Sequence, residues 1–384
     1  MRTAKDWGQP CPNPRCSHYN RMHQGNIRSI ATYQTQSGKR RVFCCGECQT
    51  RFSETRDTVF FDLRTSEERV MLALKMLLVR VDLSSIAFVL DISEESVLEW
   101  LRRAAKKAEQ INAHLLRELP VTQVQLDEMW NFIARKHSKE SDAKKESTQQ
   151  SEDGRQWVWV SYAPQFRLML AVFVGPRTAE SALALVRMTA VIVLGVPCFF
   201  SDGFSCYLSA LIECYHTLKV FPPTGKRGHP KNPVKEALAD LVYAQIVKHK
   251  ERGRLKTLSE RVLCGAARLK ALGLSISTSL IERLNLTLRH ALAPLARKCW
   301  SFCKDRKQMR RRVLFYQVFY NFARPHQSLR LPLPEPSPAP VGLIQPKWIH
   351  RTPGMAAGLT DHVWTFRELL TVKFEPIHSQ SISQ

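Results

Sequence analysis

Apolar positions are sparse and irregular through the first sixty residues and become periodic near Thr65. Val70, Met71, Leu74, Leu77 and Leu78 recur at helical spacing behind a Thr65/Glu68 capping-box pair, which predicts a helix. A shorter helix is predicted over residues 84–90, with Ile86, Val89 and Leu90 as its apolar positions. Asp91-Ile92-Ser93 then makes a turn, and Ser93 can cap a third helix that has Glu94 and Glu95 in its first turn. That helix runs to about Ala113, with Val97, Leu98, Leu101, Ala104 and Ala105 inward and Arg102, Arg103, Lys106 and Lys107 outward. Pro120 ends the helical region.

Beyond it the period changes. Residues 121–134 read as a strand, and 157–163 and 167–174 read as a hairpin turning near Pro164. A helix over 178–193, an apolar strand over 198–201 and a helix over 207–214 follow. Adjacent strands followed by helix-strand alternation predict an α/β layer with a mixed sheet. Residues 135–156 are polar and read as a loop. Residues 219–271 are basic, with the Pro/Gly-rich FPPTGKRGHPKNP ahead of a stretch read as helical. A long helix begins near Ser279, carries Leu280, Leu284, Leu288 and Leu292, and breaks at Pro294. Basic helical sequence continues to Phe322, and LPLPEPSPAP from Leu331 is a linker of restricted flexibility. In the C-terminal segment Trp348 and Trp364 are expected to dock on a core.

Charge adds a partner to this outline. The 384 residues hold 57 Lys and Arg against 34 Asp and Glu, a formal charge of +23, which favours nucleic acid over an anionic membrane surface. The longest apolar runs, 168–174 and 190–200, fall short of the roughly 20 residues that cross a bilayer. MRTAKDWGQPC has no apolar stretch behind its basic residues and does not read as a secretory signal. The 11 cysteines are therefore expected as reduced thiols with one metal site.

That site is expected in the core-poor N-terminal segment. Cys11-x4-Cys16 and Cys45-x2-Cys48 supply four thiolates, the number tetrahedral zinc takes, with Cys44 as a bystander. Scattered free thiols are the alternative, and His18 or His23 could replace one sulfur. Residues 84–107 have the form of a helix-turn-helix with a basic outer face, although an ordinary antiparallel helical pair gives the same pattern.

Three acidic residues stand out: Asp127 in a predicted strand, Asp202 directly after the apolar strand CFFS, and Glu282 at the start of the long helix. An RNase H-like layout would bring them together, and converging carboxylates repel unless divalent cations sit between them. Each also has an ordinary reading. Asp202-Gly203 fits a turn, Ser279-x-x-Glu282 fits a capping box, and strand alternation places Asp127 and Glu128 on opposite faces without choosing between them.

LDEMWNFIARK, WVWVSYAPQFRLMLAVFVGPRT, FSDGFSCYLSAL and SLIERLNLTLRHALAPLARKCWSFCK resemble, in order, the blocks of DDE transposases of the bacterial insertion-sequence one type. The cysteine module and helix-turn-helix resemble that family's N-terminal half, so the likeness spans most of residues 10–312. It implies a multidomain α/β protein: a zinc module (1–62), a helix-turn-helix region (63–119), an RNase H-like catalytic domain with a mixed sheet (120–330) and a Pro-rich linker and tail (331–384). It implies Asp127, Asp202 and Glu282 as a catalytic triad binding Mg2+ or Mn2+, and Zn2+ on Cys11, Cys16, Cys45 and Cys48. It also implies that Arg289, two turns after Glu282, meets DNA near the reacting phosphate. Tyr320, Asn321, Arg324, Pro325 and His326 are similar to a segment found after the core of related integrases and are expected in packing or backbone contact. Arg102, Arg103, Lys106 and Lys107 are expected to read the element's terminal inverted repeats. Lys226 and Arg227 of the basic insertion at about 219–271, with Lys231 and Lys235, are expected to hold flanking or target DNA.

The expected activity is metal-dependent DNA cleavage and strand transfer by a homo-oligomer on DNA, in the cytoplasm at the nucleoid, with no membrane partner. A decayed zinc and helix-turn-helix regulator, or an RNase H-like nuclease without strand transfer, would give similar sequence features.

Overall fold

The computed structural model describes residues 5–133, 154–221, 231–251, 254–297, 300–333 and 347–375. The polar stretch at 135–156 lies almost wholly outside them, as do Lys226, Arg227 and most of the Pro-rich segment. The chain divides into two compact units, one of residues 1–115 with 364–384 and one of residues 116–363.

In the first unit three antiparallel strands, β1 (Ile27–Thr35), β2 (Gly38–Cys45) and β3 (Arg51–Ser53), form a small sheet. Its core is thin: Ile27, Phe43 and Phe52 pack with three buried cysteines and a half-buried Trp7. Three helices follow, α1 (Glu67–Leu77), α2 (Leu83–Leu90) and α3 (Glu94–Leu115). Ser66, not Thr65, caps α1, through the Arg69 amide. Asp82 caps α2, and Asp91 leaves it in the left-handed region (φ 48°), which sets the turn into α3. Ser93 Oγ accepts from the Ser96 amide at 3.2 Å, as its position ahead of α3 predicts.

Two expectations for these helices are corrected. Val89 is 63% exposed, because the buried stripe of α2 is Ile86 and Leu90, four residues apart. Lys107, expected outward, is buried; it lies seven residues after Trp100 and three after Ala104, on the stripe that faces inward.

The unit is closed by the far end of the chain. A short helix, Phe366–Thr371, buries Leu369 and Leu370 and is held by a full capping box between Thr365 and Glu368. Glu67, itself buried, pairs with Arg40 of β2 at 2.5 Å and with Arg367 of this helix. Trp364 is buried as expected, whereas Trp348 is not: it sits in a two-residue bridge, half-exposed, under the Arg330 guanidinium.

The second unit is a mixed sheet flanked by helices. β4 (Gln123–Ile133), β5 (Gly154–Ala163) and β6 (Leu168–Gly175) form an antiparallel meander. α4 (Ala179–Ile192) leads to β7 (Cys198–Asp202), which pairs parallel with β4, and α5 (Cys206–Cys214) follows. A small hairpin of β8 (His216–Lys219) and β9 (Val234–Ala237) precedes β10 (Val242–Glu251), parallel to β7, and β11 (Arg254–Cys264), antiparallel to β10. The sheet order is β11-β10-β7-β4-β5-β6. After α6 (Ala266–Leu272) come α7 (Ser279–Ala291) and α8 (Arg306–Val318).

The second half of the basic segment is therefore sheet, not helix. Val242 to Gln245 are buried and continue the core beside β7, and β10 and β11 pair antiparallel from Tyr243/Cys264 to Glu251/Arg254. Within 219–271, β10 lies in the central sheet beside β7 and β11 forms its edge. The second unit is thus a mixed α/β arrangement around six strands.

α8 runs into a wider turn at Phe319–Ala323. The fully buried Asn321 there accepts from the Met169 amide at 3.0 Å and donates to its carbonyl at 2.9 Å, while Gln317 donates to the carbonyls of Met169 and Leu170. Asn321 thus ties the turn after α8 to β6.

Candidate functional site

Register brings the first two carboxylates together. β4 and β7 run parallel with Leu126 beside Ser201, so the next residues, Asp127 and Asp202, are neighbours where β7 ends; Ile246 of β10 pairs with Asp202 on the other side. Side-chain alternation splits Asp127 from Glu128. Asp127 shares its face with Gln125, whose amide clamps the start of α7 by donating to Ser277 O (2.7 Å) and accepting from the Ile281 amide (2.9 Å). That clamp sets Glu282 and Asn285 of α7 over Asp127. Asn285 donates to Asp127 Oδ2 at 2.6 Å.

Asp127, Asp202 and Glu282 line one cleft of about 740 Å³, together with Arg177, Phe204, Lys248 and Thr278. The capping-box reading of Glu282 does not apply: Ser279 lies inside α7, and the Glu282 carboxylate accepts from Thr278 Oγ1 (2.9 Å) and pairs with Lys248 Nζ. The turn reading of Asp202 holds in part, since its carboxylate accepts from the Phe204 amide at 3.1 Å.

Glu128, which no sequence pattern distinguishes as a site residue, belongs to the same cluster. One oxygen each from Asp127, Glu128 and Asp202 lie within 4.8 Å of one another. Glu128 is buried and firmly held: Arg177 donates to Oε1 through Nε (2.9 Å) and Nη2 (2.6 Å), and Tyr207 donates to Oε2 at 2.9 Å. Arg177 also stacks over Trp157 and Phe204. Burial, then the Asp202 charge, raise both Asp127 and Glu128 to about 7. Such crowding suits a hard divalent cation, because carboxylate oxygens about 2.0–2.6 Å from one ion stand at most about 5 Å apart. Arg289 lies half-buried one turn beyond Asn285, its basicity lowered by burial and by Arg297.

The second cluster lies in the first unit. Cys11, Cys16, Cys45 and Cys48 bring their sulfurs within 4.8 Å of one another. Cys11 and Cys48 are 3.5 Å apart and Cys16 and Cys45 3.8 Å, too far for disulfides at about 2.05 Å and close to the spacing of about 3.8 Å that four ligands 2.3 Å from a tetrahedral zinc would show. Asn26 donates to Cys45 Sγ (3.2 Å), and hydrogen bonding to Thr50 lowers the Cys48 thiol to about 6. Cys44 is buried outside the group, with its sulfur on Gln49 and the Cys45 carbonyl.

The expected DNA-contacting residues of α3 differ in environment. Arg102 is exposed and pairs with Glu99 at 2.6 Å; Arg103 shares Glu99 and donates to Phe61 O; Lys106 is exposed; Lys107 donates inward to Asp57 O (2.7 Å) and Val372 O (3.1 Å). In the basic segment Lys235 pairs with Glu213 and Lys231 stacks over Phe221. No described helix is long and apolar enough to cross a membrane.

Fold and clefts together define a mixed-sheet α/β protein with a carboxylate cluster suited to hard cations and a separate four-cysteine cluster. Neither a family model nor a curated protein matches the chain. Among solved structures it is similar to the Mos1 strand transfer complex, at 14% identity over 36% of this chain and 52% of that one, with a TM-score of 0.15. It is similar to the Mos1 transposase paired-end complex with left transposon end, at 14% identity over 37% and 55%, TM-score 0.15. It is also similar to the Mos1 mariner paired end complex with Mn, at 13% over 34% and 52%, TM-score 0.14. The chain spans about half the length of these solved chains.

Proposed function

We propose that the chain is a DDE-type DNA transposase that binds element ends and catalyses metal-dependent strand cleavage and strand transfer. One observation carries this reading: Asp127, Asp202 and Glu282, drawn from two strands and a helix far apart in sequence, line a single cleft. These three carboxylates would hold Mg2+ or Mn2+, which would supply charge to activate a nucleophile and stabilise the leaving oxygen. The surrounding side chains have roles of their own. Asn285 fixes the Asp127 carboxylate toward the cleft. Glu128, held by Arg177 and Tyr207, presents the Arg177 guanidinium at the cleft wall, where it meets a backbone phosphate. Lys248, which pairs with Glu282, and Arg289, further along α7, extend the phosphate-binding track.

Recognition falls to the first unit. The four cysteines hold one Zn2+ that staples a sheet with little core, and Arg102, Arg103 and Lys106 of α3 face the terminal repeat. Lys226 and Arg227 belong to the target-DNA track by sequence position alone. RNase H-like topology, oligomerisation on DNA and action at the nucleoid follow from the same reading.

Single amide variants Asp127→Asn, Asp202→Asn and Glu282→Gln should each abolish strand transfer while end binding persists. Strand transfer retained by any of the three would remove that residue from the triad. Metal analysis should find about one zinc per chain, lost in Cys45→Ser; a folded, zinc-free protein would sink the cysteine assignment.

A further inference from the structure

Lys107 is buried on a helix whose neighbouring cations face outward, and its burial leaves a question that the catalytic reading does not answer. Its ammonium lines a second cleft, of about 580 Å³, inside the first unit. The wall is built from three segments distant in sequence: Arg56 and Asp57 after β3, Lys107 and His114 of α3, and Lys373 with Phe374 from the C-terminal segment. Three cations therefore face one cavity.

Their own compensation is incomplete. Lys107 Nζ donates to two backbone carbonyls and Lys373 Nζ to Gln9 Oε1 at 2.7 Å, all neutral acceptors. Of the two carboxylates in the wall, Asp57 pairs with Arg56 at 3.7 Å and also acts on both lysines, and Glu375 accepts from the Met22 amide at 2.9 Å, so three cations face two carboxylates. Burial lowers both lysines to about 8; the Asp57 charge partly offsets this in each, while Lys107 and Arg56 lower Lys373 further. The wall carries one more cation than carboxylate, with Lys107 buried, and a bound anion would balance it. His114 and Phe374 stack at 4.2 Å between ring centroids beside the lysines, giving the cleft a flat aromatic wall.

We propose that this cleft is a phosphate-binding site, formed by Lys107, Lys373 and Arg56, that takes a phosphomonoester or phosphodiester group carrying a planar or sugar moiety. Lysine ammoniums and a guanidinium are the donors such groups use, and a volume within the range of small-ligand pockets leaves room beyond the phosphate. The site requires the C-terminal segment, which supplies Lys373 and Phe374. It does not depend on the acidic cleft, which lies in the other unit.

The test uses the full-length protein with its zinc retained. Thermal melts of wild type, Lys107→Met and Lys373→Met are recorded at matched ionic strength in chloride or inorganic phosphate, then with a nucleoside triphosphate or a short DNA duplex. Phosphate should raise the wild-type melting temperature, and each methionine variant should bind phosphate about tenfold more weakly, the loss of one charge-assisted hydrogen bond. The methionine variants should also melt at or above the wild type in chloride, because an unpaired buried charge has gone while the side-chain stem remains. A purely structural lysine predicts the reverse, a lower melting temperature in chloride with the phosphate response intact. A larger response to the triphosphate than to the duplex assigns the phosphate to a free nucleotide, and the opposite order assigns it to the DNA backbone. Equal melting of the wild type in chloride, phosphate and both nucleotide ligands would overturn the proposal, as would an Asp202→Asn variant that loses the phosphate response.

Discussion

Asp127 and Glu128 show how neighbouring carboxylates acquire different tasks. Adjacent on one strand and with carboxylate oxygens within 4.8 Å, they have different partners: Asn285 of α7 for Asp127, Arg177 and Tyr207 at the starts of α4 and α5 for Glu128. Both are raised to about 7 from ordinary values of 3.8 and 4.5. The sign of the consequence follows from proton binding, which is tighter in the folded state. Their stabilising contribution is complete below about pH 4 and is lost as pH rises through about 7. Metal-free protein should therefore melt at lower temperature as pH rises across that window, and Asp127→Asn should flatten part of the slope. Added Mg2+ should restore stability most at the alkaline end, because cation binding displaces protons. A wild-type melting temperature that climbs monotonically from pH 4 to 7.5 without metal contradicts this assignment.

At the scale of elements, α3 is legible in outline from the sequence, with one detail that residue type obscures. Its cap, its length and the exposure of Arg102 and Lys106 all follow from the sequence pattern. The placement of Lys107 does not, because its charge suggests solvent while helical phase puts it inward: positions 97, 100, 104, 107, 108 and 111 form one stripe regardless of charge. Replacing Arg102, Arg103 and Lys106 with alanine should lower the slope of log affinity against log salt by about one for each phosphate no longer neutralised. Lys107 lies off that face, so Lys107→Ala should change the slope less than any of the three outward substitutions, and equal effects from all four would contradict this placement. The β10-β11 hairpin is hidden for a related reason. Its alternating lysines and arginines resemble a solvated charge run, and only their period of two marks a strand, although β10 is the strand that flanks Asp202. The strand-end position of Asp202 is legible in the sequence. Glu128, Asn285 and Arg177 are not, since their roles depend on pairings up to 158 residues apart that no local pattern records.

At the scale of the molecule, the most consequential feature that the sequence pattern does not show is the return of the C-terminal segment to the first unit. The thin N-terminal core explains it: a three-stranded sheet and three helices gain the buried Leu369 and Leu370 and a second partner for the buried Glu67. Ending the chain at residue 363 should cost that unit about 3–6 kcal/mol from the two leucines alone, lowering its melting temperature and exposing it to protease. Unchanged melting of the shortened chain would show that the segment is dispensable for stability.

The central claim is that the Asp127, Asp202 and Glu282 cleft performs metal-dependent phosphodiester chemistry on DNA. Its most direct test is nicking of supercoiled plasmid by the purified full-length protein with Mg2+, compared with Asp202→Asn of equal melting temperature and DNA affinity. Loss of a metal-binding carboxylate should lower the rate by roughly 10³-fold or more, with wild-type nicks ending in 3′-hydroxyls. Nicking at the same rate by both proteins, or nicking indifferent to chelation of Mg2+, would contradict it.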